Sequence, residues 1–310
     1  MQATFELRKL RSPANGSVVS VGVFDGVHLG HREILGRNTA RAAELGAVPT
    51  VVTFQRHPKR TLLGRAPRTL TSLEHRMELF RRIGIEHCVA LKFDEQLRAL
   101  EAEEFARIVL REGLGARLLV LGFDSKFGKD RRGTPELMQR LGFEVEIVPQ
   151  VVVSSRAVSS TAIREAVELG DLPAAAAMLG RPVTLLGIVV RGQQLGTRIG
   201  FPTANLELHS ELHPPVGVYA CQARRADEPE SEPLAAVTNI GFRPTVNPAE
   251  SPEPTVEAHL LDFSGDLYGR RLELEFVARL RGEVRFPNVD ALRAQIDEDV
   301  AEARRILATV

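Results

Sequence analysis

His28 and His31 stand three residues apart in FDGVHLGH (residues 24–31), with Gly26 and Gly30 interleaved. One turn of helix would aim both imidazoles at a single point. The two glycines would let backbone N–H groups approach an anion closely. A helix starting near His31 would add free N–H groups and the positive end of its dipole. Charge that builds on phosphoryl oxygens as a leaving group departs must meet positioned donors, and histidine can supply them without becoming a covalent nucleophile. The segment SSTAIR (159–164) suits the same chemistry. Ser159, Ser160 and Thr161 would bring hydroxyls and N–H groups to a helix start, and Arg164 a cation one turn in. Taken singly, an HxxH pair is usually two solvated side chains, and serines before a helix are usually caps. Their joint occurrence points to phosphoryl-group chemistry.

A second constellation lies at the other end of the chain. GIVVRGQQLGTRIGFPTANL (187–206) contains four glycines, among them Gly192, Gly196 and Gly200, and matches neither the GxGxxG fingerprint nor the GxxxxGK[ST] loop. Its plainer reading is a set of tight turns between strands. Against that, Thr203 and Asn205 are short oxygen-bearing side chains directly after a proline, suited to Mg²⁺ and phosphate oxygens. Further on, VEAHLLDF (256–263) puts Glu257 on a strand, facing opposite to Val256 and Ala258.

The elements that must position these residues fall into two rhythms. In the first half, apolar runs at 18–24, 49–54, 87–93, 118–122 and 143–149 alternate with helical stretches at 31–45, 101–113 and 134–142. A further helix ends near Gly84, with Thr71 and Glu74 at capping-box spacing before it, and Thr134 and Pro135 suit N-cap and N1 positions. This alternation implies a doubly wound α/β domain whose parallel sheet is covered on both faces. An Ala-rich helix reaches Gly180, and the rhythm changes at Arg181-Pro182. From there β-rich runs at 183–190, 216–223, 234–240, 255–261 and 271–280 suggest a small antiparallel β-barrel. An amphipathic C-terminal helix follows, with Leu292, Ile296, Val300 and Leu307 on one stripe. The expected domains are therefore 1–180 and 181–310, with 224–233 a solvated loop.

At 310 residues the chain is comfortable for two cores, and 40 basic residues balance 40 acidic ones. Net neutrality disfavours nucleic acid as a partner, and small-molecule substrates are expected instead. The two cysteines, Cys88 and Cys221, are too few and too distant for a disulfide framework or a structural zinc site, and are expected to be buried thiols. No apolar run approaches the ~20 residues that span a bilayer. A cytoplasmic location without membrane attachment is the expectation.

Together the two early motifs resemble the HxGH and SSTxIR signatures of the nucleotidyltransferase superfamily. With TFQRHP (53–58), RTLTSLEHRMELF (68–80), GFDSKFGKDRRG (122–133) and GFPTAN (200–205), the chain resembles the bacterial bifunctional riboflavin kinase/FAD synthetases over nearly its whole length. The resemblance implies that the first half transfers AMP from ATP to FMN, giving FAD and pyrophosphate, and that the second half phosphorylates riboflavin with ATP and Mg²⁺. It makes His28, His31, Ser160, Thr161 and Arg164 the phosphate-handling residues of the first site. Asp124, Phe123 and Phe127 fall where that family holds the flavin, with Phe54 and His57 near the same cleft. In the second site it makes Glu257 the catalytic base, Thr203 and Asn205 the metal-side residues, and Gly192, Gly196 and Gly200 part of the ATP loop. Arg243 and Arg281 lie in family-like segments without an assigned role. Three positions depart from the family pattern: Val23 replaces a common Asn, Ala162 a common Arg and Thr197 a commonly basic residue. A charge-assisted hydrogen bond contributes ~1.5–3 kcal/mol, so losing one should raise a Michaelis constant rather than abolish a reaction. Kinase activity alone, flavin binding without turnover, and adenylyl transfer to another acceptor are the alternatives; the last leaves GFPTAN unexplained.

Overall fold

The structure, a computed structural model, describes the chain except residues 57–67, 193, 194, 209, 210, 229, 243–253 and 310. It divides into two compact units, Met1–Ser160 and Thr161–Val310.

The first unit is built on a six-stranded parallel sheet: β1 (Gln2–Thr4), β2 (Ser17–Val21), β3 (Val48–Phe54), β4 (His87–Leu91), β5 (Ala116–Gly122) and β6 (Glu144–Val148). The strand order is β1-β4-β3-β2-β5-β6. Alternate residues serve opposite faces. Val19, Val21, Val52, Phe54, Val89, Leu91, Leu119 and Leu121 enter one core, while Val51, Cys88 and Ala90, and Val18, Leu118 and Val120, enter clusters on the other side. Burial on both faces is why these strands read as unbroken apolar runs. The helix Leu29–Leu45 returns the chain from β2 to β3 and ends on Gly46 at φ 59°. Asn38, fully buried within it, donates from Nδ2 to the Val18 and Thr50 carbonyls (3.1 and 3.2 Å) and to Ser20 Oγ (2.9 Å), fastening the helix to the sheet.

Thr134 caps the helix Pro135–Arg140, as its sequence suggests. The helix ending at Gly84 differs from expectation: it spans Leu73–Ile83 and its N-cap is Ser72, which accepts the His75 N–H at 3.2 Å. The Thr71 hydroxyl is engaged elsewhere. The helical stretch after Glu101 runs as Ala102–Phe105 and then widens into a π-helix, Ala106–Gly113. The short edge strand β1 and a two-residue hairpin, β7 (Val152–Val153) with β8 (Arg156–Ala157), carry too few residues for a periodicity to register.

The helix Ser160–Leu169 begins on the last residue of the first unit; the rest of it and the helix Leu172–Leu179 lead into a closed antiparallel barrel in the second. Its strands are β9 (Val183–Val190), β10 (Ala204–Leu208), β11 (Gly217–Arg225), β12 (Leu234–Phe242), β13 (Pro254–Leu260) and β14 (Arg271–Arg281), ordered β10-β13-β12-β11-β14-β9. Strand β10 was not among the sequence-derived runs, being short and hidden behind a glycine-rich segment. Inward residues such as Leu185, Tyr219, Ile240, Val256, Ala258, Leu274 and Phe276 fill the barrel. The C-terminal helix Val289–Leu307 packs Val300, Ala303, Ile306 and Leu307 on Val218, Ala220 and Val237. Cys88 and Cys221 are both buried and free, and burial pushes each thiol up to about 12.

Candidate active sites

In the first unit the strand order reverses at β2, which pairs with β3 on one side and β5 on the other. Open α/β sheets bind ligands at the carboxyl ends flanking such a switch point. There β2 runs into the turn Gly22–His28, and β5 runs into the loop that follows Gly122. The turn is sharply wound: Phe24, Gly26 and Val27 have φ of 53°, 82° and 41°. A left-handed β-branched residue is strained, and such strain persists only when surroundings over-determine it. The surroundings here are dense. The Gly26 N–H donates to Thr71 Oγ1 (3.0 Å), the Thr71 N–H donates to Asp25 Oδ1 (3.1 Å), and Ser160 Oγ donates to the Asp25 carbonyl (2.9 Å). Buried Arg76 donates to the Val23 carbonyl (2.5 Å), to Thr53 Oγ1 (3.1 Å) and to the Phe54 carbonyl (3.0 Å), tying the turn's entry to the end of β3. Asp25 and Arg76 have no signature in the sequence, where Thr71 reads as a helix cap, because long-range brackets leave no periodic trace.

The winding turns the Phe24 ring inward, edge-on to His31 (5.2 Å) and to Phe80 (5.8 Å). His28 is the N-cap of the helix Leu29–Leu45, its Nδ1 accepting the His31 N–H at 3.3 Å. An acceptor nitrogen carries no proton, so neutral His28 holds its hydrogen on Nε2. The two rings stack with centroids 3.5 Å apart and 17° between planes. Burial above all, with the Arg76 guanidinium nearby, holds His31 well below the usual imidazole range. Its Nδ1 is buried without a partner, so the tautomer protonated at Nε2 is the one that orphans no donor. The pair thus offers two neutral N–H donors side by side. A Cβ on Gly30 would lie 3.4 Å from the His28 ring, at ordinary contact distance.

Phe123, at the carboxyl end of β5, is 49% exposed, and Asp124 beside it is exposed as well. Phe127 is buried against Phe105 (5.3 Å) and exchanges backbone hydrogen bonds with Gly133, so its ring anchors the loop. Phe54 is also buried, edge-on to Phe93 at 5.6 Å. His57 lies outside the described residues. Thr161 is exposed and Arg164 half-buried in the first turns of their helix, and Ala162 is buried.

In the second unit, Asn205 of β10 pairs with Glu257 of β13, which pairs in turn with Asn239 of β12. Directly opposed residues share a face, so the three stand in one row. Their chain neighbours Leu206, Val256, Ala258 and Ile240 point into the barrel, which places the row on its outer surface. Asn205 is buried because it packs over Gly192: a Cβ there would sit 2.5 Å from its Cγ and 2.6 Å from its Oδ1. Thr203 is half-buried immediately before β10. The glycine-rich segment is pinned to this face at its far end, where His259 Nδ1 donates to the Pro202 carbonyl (2.8 Å) and Phe201 meets the His259 ring edge-on at 5.6 Å. Gly196 and Gly200 shape the turn between, Phe201 N–H donating to the Gly196 carbonyl at 2.8 Å while Gly200 sits at φ 94°. The Glu283 carboxylate folds over Gly241, with Asn239 Nδ2 3.0 Å from where a Gly241 Cβ would stand. Arg281 is bound bidentately to buried Asp299 of the C-terminal helix (2.8–3.1 Å), so it serves the fold. Arg243 lies outside the described residues. Asn205 and Glu257, paired across the strands, carry oxygens of the hard kind that Mg²⁺ prefers, and Thr203 adds a hydroxyl two residues before Asn205.

Comparison with known proteins agrees with this division of labour. Residues 10–162 match the FAD synthetase family and residues 179–307 the riboflavin kinase family. A bifunctional riboflavin kinase/FMN adenylyltransferase of Pseudomonas fluorescens is 38% identical, covering 99% of this chain and 98% of that protein. Its counterpart in Haemophilus influenzae is 36% identical, covering 98% of each. A crystal structure from Streptococcus pneumoniae, described as a macrolide-efflux protein, superimposes with a TM-score of 0.82 at 30% identity, over 97% of this chain and 98% of that one. Among the described residues, no helix is long and apolar enough to cross a membrane. With two family matches laid end to end and relatives aligned over almost every residue, the chain belongs to the bifunctional riboflavin kinase/FMN adenylyltransferase family.

Proposed function

We propose that the barrel unit phosphorylates riboflavin to FMN and that the α/β unit adenylylates FMN to FAD, each with ATP. The observation that carries this reading is the coexistence, in one chain, of the stacked His28–His31 pair at a switch point and the Asn205–Glu257–Asn239 row on a barrel.

In the kinase reaction the terminal ribityl hydroxyl of riboflavin attacks the γ-phosphorus of ATP. Its proton passes to the Glu257 carboxylate, the bond from γ-phosphorus to the bridging oxygen breaks, and ADP leaves. Asn205, held over Gly192, and Thr203 are the residues that would hold Mg²⁺ against the phosphates; the ion, when bound, offsets phosphate charge. Gly192, Gly196 and Gly200 let the backbone of this segment come close to the nucleotide.

In the second reaction an oxygen of the FMN phosphate attacks the α-phosphorus of ATP and pyrophosphate departs. Neutral Nε2–H groups of His28 and His31 would donate to the oxygens on which charge collects. The Gly26 N–H, expected from the sequence to meet an anion, is instead given to Thr71 Oγ1 and holds the turn, while Gly30 in the first turn of the helix leaves its backbone open to phosphate. Ser160, Thr161 and Arg164 keep the phosphate-handling role that the SSTAIR segment implies. Exposed Phe123, with Asp124, is the aromatic surface available to the isoalloxazine; Phe127 and Phe54 are buried in the core and would act only indirectly. The functional division at residue 181 follows the change from α/β to β sequence. Both reactions draw on ATP, which fits a cytoplasmic location. Incubation with riboflavin, ATP and Mg²⁺ is expected to yield FMN and then FAD by chromatography; formation of neither would refute the assignment.

A further inference from the structure

The turn carrying His28 is held by groups which, Ser160 apart, have no part in phosphate handling. Three of its four residues from Phe24 to Val27 are left-handed, and one of these is a valine. A turn with that geometry relaxes unless it is held, and any relaxation carries the His28 ring with it. Two hydroxyl residues follow one another at the approach to the helix Leu73–Ile83. Ser72 caps that helix, which leaves the Thr71 side chain for the turn: its Oγ1 accepts the Gly26 N–H at 3.0 Å while its own N–H reaches Asp25 Oδ1 at 3.1 Å. Asp25, almost wholly buried, is gripped a second time through its carbonyl, by Ser160 Oγ at 2.9 Å. Ser160 is the first residue of the helix Ser160–Leu169, so the start of the second phosphate-handling segment is fastened to the turn of the first.

We propose that Thr71 is a positioning residue for adenylyl transfer: through Gly26 and Asp25 it fixes the strained turn that presents His28, and through Asp25 it keeps that turn in register with Ser160. The proposal rests on assigning FMN adenylylation to the first unit. It requires no contact between Thr71 and substrate, and it assigns Ser160 a structural strut in addition to any phosphate contact. Displacing a catalytic group by about 1 Å costs about 10²-fold in rate. Loss of the bracket should therefore appear in turnover more than in substrate affinity.

The test is steady-state kinetics on the full chain carrying Thr71→Val, which removes the hydroxyl at nearly constant volume, beside Thr71→Ser, which keeps it. The expected result for Thr71→Val is a fall in kcat for FAD formation of about tenfold to 10²-fold, with KM for ATP and FMN within about threefold. Thr71→Ser should restore kcat to within about threefold. Riboflavin phosphorylation by the same preparations should be unchanged, which controls for the amount of active barrel unit, while an unchanged circular dichroism spectrum shows that the α/β unit is folded. If Thr71→Val did not fold, Thr71→Ala carries the same expectation. Unchanged kcat in Thr71→Val, a loss expressed only in KM, or Thr71→Ser as impaired as Thr71→Val would overturn the proposal alone. Absence of FAD from the unsubstituted protein would overturn the functional assignment, and the proposal with it.

Discussion

Adding one methyl group at Gly192 should damage the kinase reaction selectively. A Cβ there would stand 2.5 Å from Asn205 Cγ and 2.6 Å from Oδ1, whereas carbon atoms make favourable contact at about 3.5–4.0 Å. Gly192 itself needs no unusual backbone angle, so the strain falls on the Asn205 side chain, which must swing away by about 1 Å. A shift of that size in a positioning group is worth about 10²-fold in rate, or about 2.7 kcal/mol of barrier. The stability cost of such overpacking is about 1 kcal/mol, because the segment lies at the barrel surface and can yield. Gly192→Ala should accordingly form FMN from riboflavin about 10²-fold more slowly, while FAD formation from supplied FMN stays at the unsubstituted rate. Chromatography of both reactions on one preparation reads the two numbers. Full kinase activity in Gly192→Ala would refute the role given to Asn205.

Arg281→Met should destabilise the barrel by about 2–3 kcal/mol, since it strands Asp299, which is 5% exposed, without its bidentate partner. The chain has no tryptophan and its two tyrosines, Tyr219 and Tyr268, both lie in the second unit, so tyrosine fluorescence during denaturant unfolding reads that unit alone. The α/β unit should lose stability in acid. His31 is held below its ordinary 6.5, so the unfolded chain binds a proton that the folded chain refuses; stability is full above about pH 6.5 and falls as pH drops through the folded value. Burial depresses His87 in the same sense, so His31→Gln should reduce, not remove, the difference in unfolding midpoint between pH 7.5 and pH 5.5 followed by circular dichroism. Phe123→Ala, a change at a half-exposed ring, should raise KM for FMN in FAD synthesis by up to about tenfold, since an aromatic contact is worth about 0.5–1.5 kcal/mol, and should leave kinase kinetics and stability alone.

The architecture was legible because burial writes itself into sequence. Strands covered on both faces appear as apolar runs such as PTVVTF, and glycines such as Gly46, Gly84 and Gly180 end helices where a left-handed residue is required. The meeting of His28 and His31 was legible because the two are neighbours in the chain. What stayed hidden is what the fold alone brings together. Thr71 and Glu74 have the spacing of a capping box, yet Ser72 takes the cap because the Thr71 hydroxyl meets a turn 45 residues away. The five residues of β10 were too few to show alternation, so the pairing of Asn205 with Glu257 became visible only with the barrel closed. Phe127 looks as available for stacking as Phe123 in the sequence; three-dimensional packing separates the buried ring from the exposed one.

The central claim is that two reactions run in two separate places on one chain, and a pair of near-isosteric substitutions tests it most directly. In His28→Asn the amide oxygen can still cap the helix through the His31 N–H, but the Nε2 donor is gone. Glu257→Gln keeps its shape and loses its basicity. With the folded variants side by side, His28→Asn should make FMN at the unsubstituted rate and lose FAD formation by about 10²- to 10³-fold. Glu257→Gln should lose FMN formation and adenylylate supplied FMN normally. A single substitution that silenced both reactions in a folded chain, or left its own reaction untouched, would contradict the two-site division.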